Sequence, residues 1–90
     1  MRTFDLGQIV ATPGALAALA EAHQTPEEFL ARHQRGDWGE VSQEDYQENE
    51  LSVERGFRLL SVYRTAKGVQ LWVITEADRS ATTLLLPEEY

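Results

Sequence analysis

The side chains best suited to chemistry in this 90-residue chain are two histidines, a run of bases and a polar block near residue 80. His23 and His33 are the acid–base candidates, because imidazole titrates near neutral pH without help from its surroundings. Arg55, Arg58, Arg64 and Lys67 occur with no acid among them, and Arg79 follows. Guanidinium forks grouped in this way fit phosphate oxygens. The block Asp78-Arg79-Ser80, followed by Thr82-Thr83, adds hydroxyls and a carboxylate at short spacing. Before these bases lies an acidic tract: residues 37–54 hold seven acids and no base.

Each group also has a plainer reading. His23 falls at the end of a helical segment, where imidazole suits the dipole. His33 shares a face with Phe29 and Leu30, as a structural histidine would. The bases can pair with the acidic tract, which is itself either a solvated helix face or a binding surface presenting Glu44, Asp45 and Glu48. The polar block is either catalytic or a hairpin turn leading into a strand. Metal ligation by His23 and His33 lacks further ligands of fixed position. No phosphate-binding glycine loop, Ser-His-Asp motif or metal signature is present, and nothing calls for a cofactor. Gly36 and Gly39 bracket Asp37-Trp38 after a helix rather than a strand, which is a turn and not a nucleotide cradle.

The elements that must position these groups are readable from period and punctuation. In ATPGALAALAEAH, Thr12 is an N-cap and Pro13 opens a helix whose stripe is Leu16, Leu19, Ala20 and His23. In QTPEEFLARHQRGDW, Thr25 and Glu28 fit a capping box, Pro26 opens the helix and Gly36 stops it. The acidic tract fits a third helix capped by Ser42 and stopped by Gly56, with a thin stripe of Tyr46 and Val53 interrupted by Asn49. After Gly56 the period changes. FRLLSVYR, VQLWVITE and SATTLLL have strand length and composition, with turns at residues 65–68 and 76–79. LGQIVA, residues 6–11, can add a fourth strand. The expected fold is therefore α+β: two to three N-terminal helices packed on a C-terminal three-stranded, or four-stranded, antiparallel sheet. Its strands are apolar on both faces, which leaves one face for helices wrapping round or for another molecule, a homodimer included.

Composition narrows the function classes. One domain spanning residues 1–90 is all this length supports. Cysteine is absent, which removes thiolate chemistry and disulfides and suits a reducing cytoplasm. An acid near the N-terminus and the lack of a long apolar run read as a soluble, cytoplasmic protein with no membrane role. A net charge of −7 repels polyphosphate, so coating nucleic acid is disfavoured. The helix–turn–helix order of the first two helices meets the same objection, since Glu27 and Glu28 would face the DNA.

Through LGQIVATPGAL, FLARHQRGDWGE and VITEADRSATTLLLPEEY, the whole chain resembles a family of small uncharacterised bacterial proteins often labelled plasmid-related. That resemblance implies a setting in bacteria or their mobile elements and no particular activity. Helices followed by a meander ending in VITEADRSATTLLLP also look like the barnase/RelE-type endoribonuclease architecture. This second resemblance implies metal-independent RNA cleavage, with His33 as the acid–base residue, Arg64 and Arg79 holding the phosphate, and Thr83 positioning it. The leading expectation is a non-enzymatic accessory protein that binds a macromolecular partner, above all another protein, in anti-defence or plasmid maintenance. The endoribonuclease is the alternative.

Overall fold

The computed structural model describes residues 4–90 as one α+β unit. In chain order the elements are β1 (Gln8–Ala11), α1 (Pro13–Glu21), α2 (Pro26–Gln34), α3 (Gln43–Arg55), β2 (Leu59–Arg64), β3 (Gln70–Thr75) and β4 (Ala81–Leu85), then a 3-10 turn at Pro87–Glu89. The fourth strand exists, and it corrects the expected sheet. The order is β1-β4-β3-β2, with β2, β3 and β4 antiparallel but β1 parallel to β4. The sheet is mixed because β1 is separated from β4 by the rest of the fold, a long crossover that permits parallel pairing. The helices are accordingly not N-terminal to the whole sheet; they lie between its first and second strands.

Local chemistry explains most helix ends. The Thr12 and Ser42 side chains accept from Ala15 N and Asp45 N, as N-caps do. Gly56 ends α3 in the left-handed conformation at φ 75°. The Thr25–Glu28 capping box does not form: Thr25 makes no side-chain cap, and Glu28 accepts from Gln24 Nε2 instead. In α1 the buried stripe is Ala15, Ala18 and Leu19, while Leu16 is 51% exposed. Small alanines let this helix approach the sheet closely, so burial follows shape and not the largest side chains.

The core lies on one sheet face. Ala15 and Leu19 of α1 and Phe29 and Leu30 of α2 pack on Tyr63, Leu71, Val73 and Leu84. Helix α3 does not join this layer. Its Asn49 donates Nδ2–H to Leu60 O at 2.6 Å and accepts Leu60 N–H on Oδ1 at 3.1 Å, so α3 docks on the outer edge of β2. The other face, carrying Leu60, Trp72, Ile74, Thr83 and Leu85, is partly covered, among the described residues by Pro87–Glu89 and Tyr90: Ile74 and Leu85 are buried, and Leu60, Trp72 and Thr83 half-buried. No helix among the described residues is long and apolar enough to cross a membrane.

Candidate functional site

His33 is delivered by the last turn of α2 into the interior, where it has no accessible surface. Its Nδ1 lies 2.6 Å from Ser61 Oγ and its Nε2 2.9 Å from Thr75 Oγ1. Thr75 Oγ1 is 2.8 Å from Thr82 Oγ1, which donates to Leu6 O at 2.7 Å. Each hydroxyl has one proton, so the chain has one consistent direction. Thr82 spends its proton on Leu6 O, and Thr75 therefore donates to Thr82. Nε2–H then donates to Thr75. Burial, and secondarily the charge of Arg79, lowers the imidazole pKa from the ordinary 6.5 to about 3. The ring is therefore neutral in the Nε2–H tautomer, and Nδ1 accepts from Ser61. The rings of Phe4 and Trp38 close edge-on against it at 5.3 and 5.6 Å. A histidine so enclosed ties strands together and cannot reach a substrate.

The other residues of the endoribonuclease reading lie apart from an open cleft. Arg64 is at the end of β2, paired with Glu40 at 3.0 Å and donating to Gly68 O. Arg79 follows the β3–β4 turn at φ 62° and turns its guanidinium onto carbonyls. Nη1 donates to Phe57 O at 2.7 Å and shares longer contacts with Glu76 O and Ala77 O, while Nη2 donates to Ser52 O at 3.0 Å. Arg79 thus ties the turn to the C-terminal end of α3, joining the Gly56 and Phe57 N–H groups that already donate to Ser52 O. Thr83 points to the sheet face opposite His33, because its neighbour Thr82 points toward it. Only Arg79 comes near His33, with Phe4 in contact with both. His23 is exposed at φ 55° just past α1 and takes no part.

The acidic residues are brought to a better place. Glu44, Asp45 and Glu48 are exposed on the N-terminal half of α3, and none has an ion-pair partner among the described residues. Asp45 and Glu48 form one wall of a groove of about 330 Å³ beside the partly covered sheet face. Leu60, Trp72 and Ile74 floor it, and Arg58 and Tyr90 close the far side. Tyr90 stands edge-on to Trp72 at 5.6 Å with Arg58 over its ring at 5.2 Å, yet remains 67% exposed. The groove therefore offers an apolar floor and a negative wall. A second cleft, of about 230 Å³, lies among Phe4, Arg35, Trp38 and Tyr46, where Trp38 Nε1–H is already donated to Glu50.

Two features escaped sequence reasoning. Asn49 was visible only as a polar interruption of the α3 stripe, and that interruption was the signal of its role. Glu89 accepts from Thr12 Oγ1, Gly14 N and Leu86 N, locking the 3-10 turn onto the start of α1 and holding its carboxyl below the usual range. A remote glutamate filling a helix N-terminus leaves no local pattern. Comparison of the chain with protein-family models, with curated proteins and with solved structures finds no match.

Proposed function

We propose that this is a non-enzymatic binding protein that holds a protein partner in the groove between α3 and the partly covered sheet face. The observation that carries the reading is the juxtaposition of the Asp45 and Glu48 carboxylates, which have no ion-pair partner among the described residues, with the apolar floor of Leu60, Trp72 and Ile74. Such a surface suits a segment with an apolar side chain for the floor and a lysine or arginine for the wall. The resemblance of the closing block to plasmid-related bacterial proteins supports a setting in bacteria or mobile elements, with anti-defence or plasmid maintenance as the role served.

Trp72 in the floor reports on occupancy. Peptides pairing an aromatic or aliphatic anchor with a basic residue are expected to shift its fluorescence, with affinity falling as salt rises. Asp45→Lys combined with Glu48→Lys is expected to weaken binding about tenfold or more, each rim charge being worth up to ~1 kcal/mol. Neither substitution touches the core, so the fold should survive. If no partner or peptide shifts Trp72, or if the double variant binds equally well, the reading fails.

A further inference from the structure

We infer that β1 pairs with β1 of a second copy, extending the sheet across a twofold axis at Val10. The hydrogen bonds from Gln8 N to Ser80 O and from Thr12 N to Leu84 O show which side of β1 faces β4. Alternation along the strand turns the N–H and C=O groups of Ile9 and Ala11 to the outside. No described residue takes them up. Ile9 and Val10 are 44% and 42% exposed, and the strand Gln8–Ala11 carries no charge, proline or bulge to blunt its edge.

The strand is self-complementary in one antiparallel register. With Val10 opposite Val10 of the second copy, Ile9 of each chain faces Ala11 of the other. Those are the outward-facing residues, so each such pair exchanges both N–H···O=C bonds. Val10 and its twin form the non-hydrogen-bonded pair, where side chains approach most closely, and both are apolar. Charge favours a second copy here over the rest of the surface. A chain of net charge −7 repels itself, and the uncharged β1 edge is a place where two copies meet without opposing carboxylates. The contact is small beside the ~1,600 Å² of a standard interface, so the dimer is weak and concentration-dependent. The twofold stands perpendicular to the sheet and sets both grooves on the same side; only this consequence rests on the proposed function.

Sedimentation equilibrium of the full chain tests it, from about 10 µM to about 1 mM in low salt and in roughly 0.5 M salt. The expected result is a mass rising toward two chains, with stronger association in high salt, as like charges are screened. That salt response is opposite to the one expected for a basic partner in the groove, so the two readings fail separately. Val10→Lys sets an ammonium against its twin and is expected to weaken dimerisation at least tenfold, leaving circular dichroism and urea unfolding unchanged. Slowed amide exchange at Ile9 and Ala11 in the concentrated sample locates the contact at this edge. A wild-type chain that stays single at the highest concentration and salt overturns the inference, even if a foreign peptide adds to β1. So does a Val10→Lys chain that dimerises as well as wild type.

Discussion

At the β2 edge, the outward groups of Leu60 are taken by Asn49, and those of Val62 by Trp38 O and Glu40 N at 3.0 and 2.7 Å. At the β1 edge, the outward groups of Ile9 and Ala11 meet nothing among the described residues. Both edges belong to one sheet, and the difference lies in what the chain places beside them. Residues 38–40 form a strap along β2, held by Tyr63 Oη–H donating to Asp37 O and by the Arg32–Asp37 pair at 2.7 Å. That pair also holds the Asp37 carboxyl below its usual range. Beside β1 the chain turns at Thr12 into α1, which packs on the core face and leaves the edge clear. An edge left open by the described residues, opposite one so thoroughly closed, is a surface for pairing.

The two edges are linked by the His33 chain, which runs from Ser61 on β2 through Thr75 and Thr82 to Leu6 O, at the entry to β1. Breaking it is the largest available perturbation. His33→Ala leaves a cavity and removes partners from the buried Ser61 and Thr75 hydroxyls, an expected loss of about 3–5 kcal/mol in urea unfolding. The endoribonuclease reading requires instead a folded variant that has lost RNA cleavage. The pH dependence has a definite sign. The folded-state pKa is depressed to about 3 from the ordinary 6.5, so the folded state binds fewer protons between those values. Stability is therefore full above 6.5 and falls as pH drops toward 3, by at most roughly 5 kcal/mol. Carboxylates such as Asp37 act mainly below pH ~4.5, so the window above that isolates the histidine. His33→Ala should flatten the profile there. An unchanged slope would sink the assignment.

Gly39 decides whether the β2 strap can lie where it does. Its φ is +74°, and a Cβ would stand 2.0 Å from Val62 O and 2.7 Å from the Tyr63 ring. Gly39→Ala is expected to destabilise by about 2–4 kcal/mol, combining left-handed strain with displacement of the strap. If the strap were a passive loop, the loss would stay under about 1 kcal/mol.

Much of this architecture was legible. Caps at Thr12 and Ser42, the stop at Gly56, and the three strands after it follow from local rules that the structure obeys. The burial of His33 beside Phe29 and Leu30 was legible too, since a helix face is a local property. The parallel placement of β1 was not, because pairing between residues 73 positions apart, as Gln8 and Ala81 are, has no local period. The roles of Arg79 and Arg64 were misleading for a related reason. A cation's sequence neighbours do not reveal whether carbonyls, a carboxylate or solvent await it; Arg79 met the end of α3 and Arg64 met Glu40. The acidic residues stood out as a cluster because helical spacing sets them on one exposed stretch. What the sequence could not show was the groove that Asp45 and Glu48 overlook.

The smallest effect gives the most direct reading of the two edges. Asn49→Ala removes both bonds to Leu60 while leaving the strap over Val62 in place. The expected loss is about 1–3 kcal/mol, the contribution of a buried amide pair whose partners can recover water at an edge. Amide exchange resolves what unfolding averages. In dilute wild-type protein the amides of Leu60 and Val62 should exchange slowly, while those of Ile9 and Ala11 exchange quickly. In Asn49→Ala the Leu60 amide should join the fast group, and Val62 should remain slow because Trp38 O still accepts its proton. The variant then presents a partly open edge at each end of the sheet. If Leu60 stays as protected as Val62, Asn49 is not what closes the edge, and β2 would owe its protection to the strap alone.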